Sequence, residues 1–243
     1  MATLSRMTAR SVVLSVLLGA HPAWATAAEL IRLTGDFDIK EATLRVALTR
    51  MVGAGDLVRS EDGYRLSDRL MARQRRQDNA INPQMASWDG VWTTLVITSV
   101  GIDARTRAGL RTTLQENRFA ELREGVWLRP NNVEHALPDE VLSRVRMMHG
   151  YDDDAAGLAH LLWDLPGWAA NGRRLLDDMA AATDVPGRFV AAAGIVRHLL
   201  TDPVLPDELL PDDWPGAALR DAYAQFAAEL SRLRSESELM EAK

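Results

Sequence analysis

The stretch from residue 26 to 67 constrains the fold most, because it alternates start and stop signals at a spacing that admits few solutions. Thr26-Ala-Ala-Glu29 has the form of a capping box. Leu30, Ile31 and Leu33 follow, and Gly35 is placed to supply a left-handed helix stop. Asp38-Ile-Lys-Glu41 repeats the start signal after only a short turn. Leu44, Ala47, Leu48, Met51 and Val52 then line one face at helical spacing, until Gly53 and Gly55 break the run. Leu57-Val-Arg-Ser60 and Tyr64-Arg-Leu66 flank Glu61-Asp-Gly63, which reads as a tight hairpin with Gly63 at positive φ. Two helices across a short turn, followed by a basic hairpin, predict a winged helix-turn-helix.

The second of these helices carries the functional signal. Opposite the stripe centred on Leu44 and Leu48 lie Ile39, Ala42, Thr43, Arg45, Val46, Thr49 and Arg50. A face that only keeps a helix in solution would carry Glu and Lys pairs. This one is small, partly apolar and arginine-bearing. A helix entering a major groove needs that mixture: small residues for close approach, Arg for guanine edges or phosphates, methyl groups for thymine. Thr43, Arg45, Val46, Thr49 and Arg50 are therefore the candidate base-facing residues. Arg59 and Arg65 on the hairpin, with Arg73, Arg75 and Arg76 just beyond it, are the candidate phosphate contacts. The plainer alternative is an ordinary amphipathic helix in a small helical domain.

The first 25 residues admit two readings. Arg6 and Arg10, the apolar run 11–20 and Ala23-Trp-Ala25 form a passable secretory signal with an A-x-A site. Against it, Thr8 is a good N-cap, and Val12, Val13, Val16 and Leu17 form one helical stripe ended by Gly19. Cleavage after Ala25 would remove the helix that backs the helix-turn-helix, so an intrinsic helix is expected. No run reaches the length of a membrane-spanning helix. The absence of Cys removes disulfides, thiolate zinc sites and Cys nucleophiles and fits a cytoplasmic location. The net charge of −6 is unevenly spread. Residues 1–80 hold 12 basic against 9 acidic side chains, and the rest 16 against 25. The basic share thus sits with the predicted reader.

Four regions are predicted: a winged helix-turn-helix over 1–67, a connecting helix and linker over 68–87, an α+β unit over 88–154, and helices over 155–243. In the third, Trp92–Thr98 reads as a strand and Asp103 caps a helix reaching about Asn117. Phe119–Glu124 and Val126–Arg129 flank Gly125 as a hairpin, and Val141–His149 is open between strand and helix. That order suggests a ferredoxin-like unit. In the last region, Leu219, Tyr223, Phe226, Leu230 and Leu233 form an amphipathic stripe, for its own core or for a dimer partner. Fraying is expected after Arg234.

Three stretches resemble the PaaX family of phenylacetic-acid-catabolism repressors. They are Thr8-Ala-Arg-Ser-Val-Val-Leu with Thr43-Leu-Arg-Val-Ala-Leu-Thr-Arg-Met, then Trp88-Asp-Gly-Val-Trp92 with Gly125-Val-Trp-Leu-Arg-Pro130, and Asp202-Pro-Val-Leu-Pro-Asp-Glu-Leu-Leu-Pro-Asp-Asp-Trp-Pro-Gly216. The resemblance implies a winged helix, a ferredoxin-like middle domain and a helical C-terminal domain. It also implies a dimeric repressor released from double-stranded DNA by an aryl-acetyl coenzyme A thioester. The chain departs from the family at Ala191-Ala-Ala-Gly-Ile-Val-Arg-His198, mostly apolar where the family tends to be rich in His and Arg. The middle region also resembles the small CRISPR-associated nuclease of spacer acquisition. That enzyme uses an Asp at the end of its first strand, where this chain has Ile97-Thr-Ser99.

Other motifs are weak. Asp152-Asp-Asp154 lacks the alternating ligands of a calcium loop. The histidines at 21, 135, 149, 160 and 198 show no zinc spacing, and neither a G-x-S-x-G elbow nor a phosphate loop is present. No catalytic residue, metal site or cofactor is therefore expected. For the effector, Trp163, Trp168 and Trp214 are candidates to face an acyl or aryl tail, with Arg188 and Arg197 for phosphates. Arg173 and Arg174 are lesser candidates for the same role. The reading is a cytoplasmic, homodimeric DNA-binding repressor with no membrane association. The alternatives are an enzyme (an acyl-CoA hydrolase or a nuclease) with an accessory winged helix, or a secreted binding protein if the first 25 residues are a signal.

Overall fold

Thr8 accepts a hydrogen bond from the Ser11 amide and opens α1 (Ala9–Gly19), as its place before an apolar stripe predicts. The computed structural model describes residues 7–134 and 137–241, with 233–241 as backbone; Arg6 and His135 lie outside the described residues. After α1 come β1 (Trp24–Ala25), α2 (Ala27–Leu33), α3 (Glu41–Gly53), β2 (Leu57–Arg59), β3 (Tyr64–Leu66) and α4 (Asp68–Ile81). The three strands form an antiparallel sheet in the order β1-β3-β2. Helix, strand, two helices and a hairpin whose second strand pairs back to the first is winged-helix topology. Val12, Val13, Val16 and Leu17 are fully buried, in one core with Leu30, Leu44, Leu48, Leu57 and Leu66. Each such side chain stabilises the fold by about 1.5–3 kcal/mol.

Local details differ from the sequence expectations. The chain leaves α2 through a 3-10 turn, Gly35–Phe37, and the left-handed residue is Asp38 (φ 55°), not Gly35. Thr34, whose hydroxyl bonds back to the Leu30 carbonyl at 2.8 Å, holds the exit. With Asp38 spent on the turn, α3 starts at Glu41, with Lys40 as its N-cap and no side-chain capping bond. Ile39 therefore precedes the helix. Gly63 does not have positive φ. A Cβ there would press into the Ala25 carbonyl group, 3.0 Å from its carbon and nearer still to its oxygen. Close approach of β1 to the hairpin is what demands glycine. β1 itself, at the Ala-Trp-Ala run that resembled a cleavage site, pairs Trp24 with Arg65 and Ala25 with Tyr64.

The described chain divides into two compact units: residues 7–81, 172–200 and 217–241 in one, 82–134, 137–171 and 201–216 in the other. The second unit contains β4 (Trp92–Ile97), α5 (Ala104–Glu116), β5 (Ala120–Arg123), β6 (Val126–Pro130), a short α6 (Asp139–Leu142) and β7 (Val145–Gly150). Its antiparallel sheet runs β5-β6-β4-β7, a ferredoxin-like order. The stretch from Val141 to His149 is thus neither one strand nor one helix: α6 ends as the Ser143 hydroxyl bonds the Glu140 carbonyl, and β7 follows. Consecutive residues of β6 face opposite sides. Trp127 packs with Leu110 and Leu114 of α5, while Leu128 packs with Ala159 and Leu209.

The remaining helices are α7 (Ala155–Leu162), α8 (Leu165–Ala181), α9 (Val185–Leu199) and α10 (Gly216–Glu241). Asp154 caps α7 through the Gly157 amide, which accounts for one acid of the 152–154 run. α10 continues as helix past Arg234, where fraying was expected. Within the first unit, Phe226 of α10 and Phe189 of α9 meet edge-on with centroids 5.1 Å apart, and Phe189 meets Phe37 at 5.2 Å. Leu219, Phe226 and Leu230 of the α10 stripe are buried, Tyr223 is partly so, and Phe226 and Leu230 join the winged-helix core. From Tyr223 to Leu230 the stripe therefore packs in its own unit rather than offering a free dimer face.

Candidate nucleic-acid interface

α3 is fixed by three buried residues one or two turns apart, Leu44, Leu48 and Met51. That anchoring turns Thr43, Arg45, Val46, Thr49 and Arg50 to solvent; all five are exposed, Val46 by 51%. The Thr49 hydroxyl bonds the Arg45 carbonyl at 3.0 Å. The Arg45 guanidinium donates to Glu41 of its own helix at 2.6 and 2.8 Å. An exposed pair of this kind is worth only about 0.3–0.5 kcal/mol, so a phosphate or guanine edge can take the guanidinium over. Arg50 has no acidic partner among the described residues.

Thr43, Val46 and Arg50 line an open groove of about 680 Å³ whose other wall is the start of α1, Thr8 and Arg10. Arg10 was read from sequence only as the basic end of a possible signal. Its place is set by Asp56, the residue before β2, whose buried carboxylate accepts from Arg10 at 2.8 Å and from Arg69 of α4. No local spacing announces that triad, since its members are 46 and 13 residues apart. On the hairpin, Arg59 and Arg65 are both exposed. Arg59 has no acidic partner among the described residues, and Arg65 lies 3.9 Å from Asp68, with its guanidinium on the Leu66 carbonyl. Arg73, Arg75 and Arg76 stand exposed on α4. One unit thus carries an exposed helix face with two arginines, a basic hairpin and a basic helix.

The five candidate effector residues fall in different environments. Trp168 and Trp214 stack at 4.2 Å and 12°, and the Trp168 indole donates to Thr201 at 3.1 Å. Trp163 stacks on buried Trp92 at 6.4 Å. All three belong to the second unit; Arg188 and Arg197 belong to the first. Arg188 pairs with Glu229 at 2.7 Å and lines a cavity of only about 30 Å³. Arg197 lies on a larger groove, with its Nε on the Ala193 carbonyl at 3.1 Å.

Two residues of the motifs quoted above hold structure. Arg129 is buried, donating to the Pro130 and Asn117 carbonyls at 3.0 Å and to the Asn132 side chain at 3.2 Å. Burial first, and Arg118 second, push its pKa down to about 10. Asn132 in turn donates to Val204, and Arg118 donates to the Asp202 carbonyl. Asp202 caps its own turn through the Val204 amide. The start of the 202–216 segment is thereby tied to the residues that flank β5 and β6. Among the described residues no group of three or more His, Asp or Glu is placed to hold a metal ion, and no helix is long and apolar enough to cross a membrane.

Three family profiles match the chain in order: PaaX-like protein over residues 8–70, PaaX protein central Cas2-like domain over 85–148, and PaaX-like protein C-terminal domain over 169–238. No curated protein matches it. A solved structure, described as the uncharacterized protein Rv0674 from Mycobacterium tuberculosis, is 67% identical with a TM-score of 0.86, covering 95% of this chain and 99% of that one. With the winged helix, the ferredoxin-like sheet and the matched segments in the same order, the chain belongs to the PaaX family and is a PaaX-like transcriptional regulator.

Proposed function

We propose that the protein is a homodimeric repressor that reads double-stranded DNA through α3 and is released by an aryl-acetyl or related acyl coenzyme A thioester. The observation that carries the reading is the exposed face of α3. Five residues with two arginines, two threonines and a valine stand clear of the core on a helix-turn-helix, where solvent alone would favour acid–base pairs. Thr43 and Val46 approach base edges, Arg45, Thr49 and Arg50 contact bases or adjacent phosphates, and Arg59 and Arg65 grip the backbone from the hairpin. Family membership supports control of transcription, and the motif resemblance supports the thioester. Two winged helices related by a two-fold axis match a palindromic site with half-sites near a whole number of helical turns.

A mobility-shift titration on the DNA flanking the protein's own gene tests this. Specific retention is expected, competed by the same sequence far better than by random duplex, and weakened by phenylacetyl-CoA. Retention that is identical on random DNA would refute sequence reading. Specific retention indifferent to the thioester would leave the DNA reader standing and remove the ligand.

A further inference from the structure

In the first unit a groove of about 490 Å³ runs between α1, α4, α9 and α10, within the roughly 300–1,000 Å³ usual for small-molecule sites. Its floor is apolar, built from Leu14 and Leu18 of α1, Val196 of α9, and Phe226 and Leu230 of α10. Three arginines, Arg10, Arg73 and Arg197, line it as well. Arg73 and Arg197 have no acidic partner among the described residues, and Arg10 shares its carboxylate with Arg69. Burial, then the Asp78 carboxylate, raise the pKa of Tyr223, so the hydroxyl on the groove wall remains a neutral donor. An apolar trough beside cations selects an amphipathic anion. The tail leaves water in the trough, and a carboxylate or phosphate takes the paired N–H groups of arginine. A bare phosphate leaves the trough empty, and a neutral hydrocarbon leaves the cations unused.

Two features connect this groove to the DNA-facing side of the same unit. Phe226 on its floor contacts Phe189, and Phe189 contacts Phe37, which lies in the turn between α2 and α3. Thr8 and Arg10 wall both this groove and the one beside α3. We propose that the α1/α4/α9/α10 groove binds an amphipathic anion with an acyl-length apolar tail, and that its occupancy re-aims the helix-turn-helix through Phe226, Phe189 and Phe37. The consequence for DNA rests on the effector reading above; the binding itself does not. A ligand alters DNA affinity only as far as it prefers one arrangement of the reader over the other, and a tail wedged against Phe226 supplies such a preference.

Calorimetry on the full chain with decanoate, decanoyl-CoA and coenzyme A tests the site. Decanoate or decanoyl-CoA, or both, are expected to bind saturably, one per chain, while coenzyme A alone does not; which of the two binds identifies a carboxylate or a phosphate head. Ala193→Trp, which fills the trough, and the pair Arg73→Glu with Arg197→Glu, which reverses the rim, should each weaken binding about tenfold or more, with circular dichroism and melting showing that both variants fold. No binding by either tailed probe overturns the site, as does affinity unchanged in both variants. Saturating probe should also lower the wild-type affinity for the promoter duplex, and this effect should vanish in Ala193→Trp. Bound probe with promoter affinity unmoved overturns the coupling. Absence of promoter binding without any probe overturns the regulator reading instead, and leaves the groove to the calorimetry.

Discussion

At position 63 the lack of a side chain lets the hairpin close onto the Trp24–Ala25 strand, because a methyl group would enter the Ala25 carbonyl. Gly63→Ala should therefore cost about 1–3 kcal/mol through overpacking of backbone that cannot yield, read as a lower denaturation midpoint. Asp56 sets a comparable constraint by charge. Its carboxylate is buried while both guanidiniums on it are largely exposed, so the attraction itself is screened. What Asp56→Ala removes is an anchor between α1, α4 and the start of β2; a loss of about 1–3 kcal/mol is expected from the lost charged hydrogen bonds, again by denaturant titration. Arg45 and Arg50 belong to a different class, since neither contributes to the core. Arg45→Ala should cost no more than about 0.5 kcal/mol of stability, the worth of its exposed pair with Glu41, and about 1–3 kcal/mol on specific DNA if it reads a base. A loss equal on all sequences would assign it to phosphate. The legibility of these residues follows from what fixes them. The exposed face of α3 was readable because a 3.6-residue period decides it. Gly63 was recognisable as necessary, for the wrong reason, because a contact with Ala25, far away along the chain, leaves no local mark. Arg10 was missed as part of the interface because its partner Asp56 lies 46 residues on.

Among elements, the hairpin makes the sharpest prediction. Arg59 and Arg65 stand exposed beside a tip held by Ser60, whose amide and hydroxyl both bond the Gly63 carbonyl. If both meet phosphates, Arg59→Ala with Arg65→Ala should lower the slope of log affinity against log salt by about two, measured on promoter and random duplexes alike. An unchanged slope would mean that the hairpin points away from DNA. The strands that frame it were unequally visible. β2 and β3 flank a turn signal, whereas β1 is two residues long and makes sense only through its pairing with β3. The turn between α2 and α3 was placed correctly but its chemistry was not: Asp38, read as a cap, instead takes the left-handed position and delays α3 to Glu41. Asn, Asp and Gly compete for that conformation, and sequence alone does not rank them. In the second unit, the strand-or-helix ambiguity over 141–149 arose because four residues of helix and six of strand share one apolar pattern.

For the whole molecule, the order of the family segments was legible, but the packing was not confined to sequence neighbours: residues 172–200 and 217–241 complete the unit that holds the winged helix. A domain boundary read along the chain sees composition and punctuation, whereas Phe189, packed on Phe226, reaches Phe37 across more than a hundred residues. Phe189→Ala should accordingly destabilise the winged helix itself by about 3–5 kcal/mol, seen as earlier loss of protection in α2 and α3 by hydrogen exchange. Since Phe226 and Leu230 of the α10 stripe are buried in the core of their own unit, a dimer must use a surface other than these two. Sedimentation at micromolar concentration should still give twice the mass of one chain, and Leu230→Ala should act through stability rather than through dissociation alone. The central claim is that the exposed face of α3 reads DNA, and fluorescence anisotropy on the promoter duplex tests it most directly. The wild type should bind specifically, and Arg45→Ala with Arg50→Ala should lose most of the margin over random duplex while keeping the wild-type melting temperature. Equal specific affinity in the wild type and this folded double variant would contradict it.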